Sequence, residues 1–169
     1  MPELWDAYLA DGRPAGRTLA RGEPIPAGLY HIVADVLVKH RDGEYLAMRR
    51  DFCKETYPGL FEAGASGSVL AGESPFAGAL RELREETGIT ASGLTFLFAQ
   101  SNLKDTLYFC YLCRTDCAKE SVTLQEGETI AYRWLAEADF FALMRSEAFA
   151  PSQRERWAPY LGAAAAFGA

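Results

Sequence analysis

The sequence predicts an α/β fold in which a mixed central sheet is flanked by helices. Three observations support this prediction. Several short segments alternate apolar and polar residues or are rich in small residues, as strands are. One Glu-rich segment in the middle of the chain, residues 75–87, has helical periodicity and capping residues at both ends. Two further segments with helical patterning follow the last predicted strand.

Residues 1–28 are predicted to form a hairpin followed by a connector. The segment 5–20 contains Asp11-Gly12, a dipeptide that favours a tight turn between two strands. Two prolines lie within residues 22–28, and we therefore expect an extended conformation there.

The next segment, residues 30–39, is predicted to form a strand because apolar residues occupy every second position from Ile32 to Val38. Asp42-Gly43 then favours a turn into the following strand. The remaining strands are predicted at residues 45–49, 60–66, 94–99, 106–114 and 129–135.

The central helix is predicted to begin after Ser74 and to end at Gly88. Ser74 is a good N-cap, Pro75 suits the first helical position, and Gly88 suits the left-handed residue that ends many helices. Its apolar face is predicted to contain Phe76, Leu80 and Leu83.

Residues 136–169 are predicted to form C-terminal helices and a tail. The first helix covers residues 136–146, where Phe140, Phe141, Leu143 and Met144 crowd one side. The second covers residues 152–158 and ends before Pro159, since proline disrupts a helix interior. The tail begins at residue 162.

The composition is that of an ordinary soluble globular protein, and its 169 residues fit one domain spanning residues 1–169. The net charge of −6 argues against a nucleic-acid polymer as the main partner, because duplex binding requires clustered Lys and Arg. Neither a secretion signal nor an apolar run long enough to cross a bilayer is present, so we expect a cytoplasmic protein with no membrane partner.

The four cysteines are Cys53, Cys110, Cys113 and Cys117. A zinc site is one interpretation, but residues 110 and 113 fall in a predicted strand, where positions three apart point to opposite faces. Reduced, partly buried thiols are therefore the favoured interpretation.

Three acidic residues of the central helix, Glu82, Glu85 and Glu86, are neighbours on its surface because they are three and four positions apart. Crowded carboxylates repel one another and are hard oxygen ligands, which suits Mg²⁺ or Mn²⁺. The alternative is a solvated helix face stabilised by pairs such as Arg81 with Glu85.

Residues 67–89 decide between these interpretations, because they resemble the Nudix box at every defined position. The box reads G-x5-E-x7-R-E-U-x-E-E-x-G-U, with U aliphatic, and here begins at Gly67. The resemblance implies an α/β/α sandwich that hydrolyses a diphosphate linkage with water activated by Mg²⁺ or Mn²⁺. It also implies metal ligands at Glu82 and Glu86, with Glu85 as a third and the carbonyl of Gly67 completing the set.

The same resemblance implies that Glu73 and Arg81 orient the loop and the helix. A general base in Nudix enzymes is either a box glutamate or a carboxylate from a later loop. Glu128 and Glu126 are the candidates for that loop, although both could equally be solvated acids.

A basic cluster of Arg49, Arg50 and Lys54 lies upstream of the box and could hold the substrate phosphates or be solvated. His31, a lone histidine on a strand, is expected to be packed or hydrogen-bonded rather than a ligand.

The chain before residue 89 also resembles isopentenyl-diphosphate isomerase, which belongs to the same superfamily. The segment from Arg49 to Gly59 is similar to RR-x3-K-x2-W-P-G of that enzyme. However, Ser66 stands where the isomerase has its catalytic cysteine, and most of its metal-binding positions are unmatched. The balance favours a hydrolase built on an isomerase-like frame.

The leading hypothesis is therefore a Nudix hydrolase acting on a small-molecule diphosphate, such as a nucleoside diphosphate derivative. An isomerase of allylic diphosphates and a non-catalytic sensor of a phosphate ligand are the alternatives. Specificity is expected in residues 100–105 and 119–128 and in the C-terminal helices. The sequence does not decide between a monomer and a homodimer.

Overall fold

The computed structural model describes the backbone of residues 1–167 and the side chains of residues 1–162. Over this part of the chain the strands and helices follow the predicted order. The strands are β1 (Leu4–Tyr8), β2 (Pro14–Ala20), β3 (His31–His40), β4 (Tyr45–Arg50), β5 (Phe61–Ala63), β6 (Ala65–Ser68), β7 (Thr95–Ser101), β8 (Thr106–Thr115) and β9 (Thr129–Leu135). The helices are α1 (Pro75–Thr87), α2 (Glu137–Arg145) and α3 (Pro151–Phe167).

Strands β3 to β9 form a mixed sheet with β3 at its centre. β3 pairs in parallel with β8 along its whole length, from His31 opposite Thr106 to His40 opposite Thr115. On its other side, β3 pairs antiparallel with β6 and, at Lys39, with β4. β4 also pairs with β5 and β9, and β7 pairs with β8. The N-terminal strands β1 and β2 form a separate hairpin, as predicted.

Helices cover both faces of this sheet, which confirms the predicted fold class. The alternating residues of β3 predicted to be buried, such as Val36, pack in one core with Ala79 and Leu83 of α1. The opposite core joins Leu37 of β3 to α2 and α3 through Phe140 and Trp157. Each core therefore buries one face of the sheet under helix, as an α/β/α sandwich requires.

The ends of α1 confirm the predicted caps. The Ser74 hydroxyl accepts a hydrogen bond from the amide of Ala77 at 3.1 Å, and Gly88 has φ = 73°. The predicted apolar face is wrong at Phe76, which is 41% exposed. Helix α1 instead turns small Ala79, together with Leu83, toward the sheet, because it packs closely against β6.

The predicted end of the last helix before Pro159 is wrong, since α3 continues through this residue. Pro159 and Glu155, whose carbonyl would have accepted the missing hydrogen bond, are both exposed, so water can satisfy that carbonyl. Trp157 and Leu161 are buried on either side of the proline and hold the helix against the sheet. The predicted tail lies almost wholly outside the residues whose side chains are described.

The two buried cysteines of the C-x2-C pattern lie in opposite cores, Cys110 under α3 and Cys113 under α1. Within the described residues, no group of His, Cys, Asp and Glu side chains is arranged to enclose a metal ion. No described helix is both long enough and apolar enough to cross a membrane.

A buried ion pair fastens α3 to the centre of the sheet. Arg156 donates from Nε to the carboxylate of Asp35 on β3, and both residues are at least 94% buried by exposed area. The guanidinium also lies 3.7 Å from the ring centroid of Tyr108. Either charge alone would be unpaired in a region with little access to water.

We expect Arg156→Ala to lower the free energy of unfolding by about 3–5 kcal/mol, because Asp35 would remain buried without its partner. Urea denaturation measures this loss. Arg154→Ala on the same helix, which removes a bond to the Ser146 carbonyl, should cost only about 1 kcal/mol. A similarly small loss of unfolding free energy in both variants would contradict a large cost of leaving Asp35 buried without Arg156.

Candidate active site

A cavity of about 550 Å³ opens beside β6 and the middle of α1. Five parts of the chain line it: β3 through Val33, β6 with α1, the end of β4 with the loop after it, the loop before β9, and the two ends of the N-terminal hairpin. The cavity is where most of the residues singled out in the sequence meet. Its most buried acidic side chain is Glu86, which is 5% exposed.

Glu86 is held from the adjacent strand, where the amide of Ser66 donates to its Oε2 at 3.0 Å. Burial raises the pKa of Glu86 well above its ordinary value, and the nearby carboxylates of Glu62, Glu82 and Glu128 raise it further. The Ser66 bond acts in the opposite direction but does not outweigh them. The charged form of Glu86 is therefore disfavoured, mainly because the side chain is buried and secondly because other carboxylates lie near it.

Glu82 lies directly over Gly67. A methyl group at residue 67 would stand 2.1 Å from the carboxylate carbon of Glu82, so the bare backbone of glycine is what lets this carboxylate approach β6. The Glu82 side chain is 13% exposed, and burial raises its pKa despite the neighbouring Arg81.

Arg81 on α1 is hydrogen-bonded to β6 and to the loop that carries Glu73. Its Nε and Nη2 donate to the two carboxylate oxygens of Glu73, and Nη2 also donates to the Ser68 carbonyl at 2.9 Å. Its Nη1 donates to Glu82 at 2.6 Å and to Glu85 at 3.1 Å. These bonds link the loop that carries Glu73 to α1, and they place one positive group between two of the acidic side chains; the orienting role of Glu73 and Arg81 stays a prediction.

The donor atoms fit a divalent cation in kind, although the acidic side chains of the described residues are not gathered around one point. Carboxylate oxygens and a backbone carbonyl are the ligands that Mg²⁺ and Mn²⁺ prefer. The guanidinium nitrogen of Arg81 now fills the place between Glu82 and Glu85 where a cation would be attracted, and buried Glu86 receives only an amide N–H.

Two of the three predicted basic residues reach the cavity. Arg50 donates to Glu62 at 2.7 Å and to the carbonyl and hydroxyl of Thr56, so its guanidinium is fixed in one orientation. Lys54 forms an ion pair with Glu128, the loop acid predicted as a general base. Arg50, Lys54 and Glu128 all line the cavity with the box residues.

Three other predicted or considered residues do not line it. Arg49 points away from the cavity, where it donates to the Gly59 carbonyl at 2.9 Å and lies over Phe52. Glu126 is exposed and outside the lining. His31 is packed as expected, stacked on Trp5 at 4.3 Å between ring centroids and bonded to Thr106.

Sequence reasoning missed three residues that bear on the cavity. Glu62 is buried and fixes Arg50, and its position in a strand of small residues gave no functional signal. Glu3 and Arg21, at the two ends of the hairpin, line the cavity and form an ion pair at 3.2 Å. A charged residue at each end of a predicted hairpin was the only available signal.

The raised pKa of Glu86 predicts a contribution to the stability of the metal-free protein that is lost as the pH rises above 4.5. Between 4.5 and the higher native pKa, this carboxyl binds more protons in the folded state than in the unfolded state, so its contribution to the free energy of unfolding falls with pH. Urea midpoints measured in a chelator should fall less steeply for Glu86→Gln than for the wild type. Parallel slopes would contradict this origin of the pH dependence.

Known proteins resemble this chain in sequence and in fold. The sequence model of the NUDIX domain matches residues 29–157. An "uncharacterized Nudix hydrolase" of Listeria monocytogenes is 30% identical over 151 residues, covering 88% of this chain and 89% of that protein. The isopentenyl-diphosphate Delta-isomerase of Corynebacterium diphtheriae is 30% identical over 88 residues, covering 51% of this chain and 48% of that enzyme.

A crystallised protein of Deinococcus radiodurans shares the fold. It superposes with a TM-score of 0.73 at 20% sequence identity, covering 90% of this chain and 96% of that one. The family match spans most of the chain and includes the whole of the box, α1 and the loop that carries Glu128. The chain therefore belongs to the NUDIX domain family.

Proposed function

We propose that the protein hydrolyses a phosphoanhydride linkage in a small diphosphate compound, such as a nucleoside diphosphate derivative or a related molecule. The observation that carries this proposal is the burial of Glu82 and Glu86 beside Gly67, in a cavity that Arg50 and Lys54 also line. Acidic ligands for a cation and basic groups for phosphate oxygens thus border one space.

Nudix hydrolases generally need a divalent metal, and in this chain Glu82, Glu85, Glu86 and the Gly67 carbonyl would hold Mg²⁺ or Mn²⁺. The cation would neutralise the diphosphate and lower the pKa of an attacking water. Without such neutralisation, the charges of Glu82 and Glu86 would repel an anionic substrate.

The remaining groups have roles that their contacts favour. Arg50 is fixed by Glu62 and Thr56, which suits it to orient a phosphate group with little loss of side-chain freedom. Glu128 is positioned by Lys54 and would accept the proton of the attacking water. The water oxygen bonds to phosphorus as the bridging P–O bond breaks, and the bridging oxygen leaves on the other phosphate.

A screen of diphosphate compounds tests this proposal, with release of phosphate or of a phosphorylated product as the readout. We expect turnover that depends on Mg²⁺ or Mn²⁺ and stops in a chelator. A broad panel that includes nucleotides, nucleotide sugars and sugar diphosphates without any turnover, combined with tight binding of one compound in calorimetry, would favour the sensor alternative.

Isomerisation of an allylic diphosphate is the second candidate, favoured by the match to the Corynebacterium diphtheriae enzyme over 88 residues. Ser66 offers a hydroxyl where that chemistry needs a stronger acid or base. His31 stacks on Trp5 and does not line the cavity. Conversion of isopentenyl diphosphate in a direct assay would overturn the hydrolase proposal.

A cytoplasmic location and a homodimer also remain proposals. Cell fractionation tests the first of these, and light scattering of the purified protein tests the second.

A further inference from the structure

The cavity wall has an unusual composition for a site that would bind a nucleobase. Ligand pockets of this size are commonly lined by hydrophobic and aromatic side chains. Among the described residues, this cavity is lined by no aromatic side chain, and Val33 is its one aliphatic side chain. Charged and hydroxyl-bearing residues supply most of the rest. A purine or pyrimidine ring would therefore find no aromatic ring in this lining on which to stack.

Two exposed aromatic residues are next in sequence to this lining, Phe52 beside Cys53 and Tyr57 beside Thr56, and neither ring lines the cavity. Phe52, in the loop after β4, is 66% exposed, but its ring lies under the guanidinium of Arg49. It also covers Gly59 so closely that a methyl group there would stand 2.5 Å from the ring. These two contacts hold Phe52 away from the cavity.

Arg21 is the cavity-lining guanidinium with the most unused donors. Arg50 and Arg81 each donate from all three of their nitrogens to partners within the protein. Arg21 makes one side-chain bond, from Nη1 to Glu3 at 3.2 Å, and its side chain is 63% exposed. Since a guanidinium has five N–H donors, Arg21 can still bind a phosphate bidentately.

We propose that the substrate of this cavity is a phosphorylated sugar or polyol diphosphate rather than a nucleotide, and that Arg21 contacts its additional phosphate. This inference rests on the proposed phosphoanhydride hydrolysis and specifies the part of the substrate beyond the cleaved linkage. It places a specificity residue in the N-terminal hairpin, outside the residues that the family model matches. An allylic tail is disfavoured on the same ground, because it would need an apolar wall.

Calorimetry in Mg²⁺ with ligands that contain no phosphoanhydride tests the binding part separately from hydrolysis. AMP and ribose 5-phosphate differ by the adenine, and ribose 1,5-bisphosphate adds a phosphate. Ribose 5-phosphate should bind within about threefold of AMP, and the second phosphate should tighten binding by about tenfold or more. Arg21→Ala should remove most of that gain, whereas Arg13→Ala on the same hairpin, paired with Asp11 away from the cavity, should not.

Binding of AMP that is about tenfold or more tighter than that of ribose 5-phosphate would overturn the inference, and so would a second-phosphate gain that survives Arg21→Ala. A parallel assay compares hydrolysis of 5-phosphoribosyl 1-diphosphate with that of ADP-ribose. If the binding pattern is as expected but neither compound is hydrolysed, the proposed hydrolase activity fails while the ligand class stands. If only ADP-ribose is hydrolysed, the activity stands and the ligand class fails.

Discussion

Replacement of Glu86 by Gln should lower kcat/KM by at least about 10³-fold while the fold is retained. The amide keeps an oxygen that can accept the bond from Ser66, so the local geometry should survive. The change removes the negative charge that is most buried beside the proposed metal position. In the metal-free protein the free energy of unfolding should be unchanged or higher, because a desolvated carboxylate is lost.

Phosphate-release kinetics and thermal unfolding, each measured with and without Mg²⁺, test this expectation. Glu155→Gln is the matched control, since Glu155 is an exposed glutamate on α3 that does not line the cavity. The wild type should be stabilised by Mg²⁺ and the Glu86→Gln variant should lose most of this stabilisation. Unchanged turnover in Glu86→Gln would contradict the assignment of Glu86 as a metal ligand.

Gly67→Ala should also inactivate the enzyme, with an expected loss of about 10²-fold or more in kcat/KM. The new methyl group would lie 2.3 Å from each carboxylate oxygen of Glu82 and would displace that carboxylate. Because the end of a flexible side chain can rotate aside, the cost in the free energy of unfolding should stay below about 2 kcal/mol. This variant keeps the carboxylate of Glu82 but moves it, so it tests whether the position of this proposed metal ligand matters as well as its presence.

Gly93→Ala is a suitable control, because nothing lies within 4 Å of the methyl group that it would introduce. It should leave turnover and the response to Mg²⁺ unaltered. Wild-type turnover in Gly67→Ala would mean that the carboxylate of Glu82 does not need its present position over β6.

The central part of the fold could be predicted from the sequence because its signals are local. The caps at Ser74 and Gly88 and the turn at Asp11-Gly12 depend on residues within a few positions of one another. The burial of Leu83 followed from helical spacing in the same way. The family resemblance then supplied the roles of Glu82 and Glu86, which their spacing alone left open against a solvated helix face.

The rest depends on long-range packing. Pro159 is tolerated inside α3 because residues distant in sequence bury Trp157 and Leu161, which no local rule reveals. The different environments of Arg49 and Arg50 depend on which face of β4 meets the cavity. The sequence indicates residues 100–105, residues 119–128 and the C-terminal helices as sources of specificity. Of these, the described cavity wall includes only Gln125, Gly127 and Glu128, and the hairpin contributes as well.

The parallel pairing of β3 with β8 also bears on how the chain reaches this state. Their facing residues, such as His31 and Thr106, are separated by 75 positions, and β5, β6 and α1 all lie between them. Closing so long a loop is entropically costly and slows folding. During synthesis on the ribosome, β6 and α1 emerge before β8, so their apolar sides stay uncovered until the later part of the chain has been made.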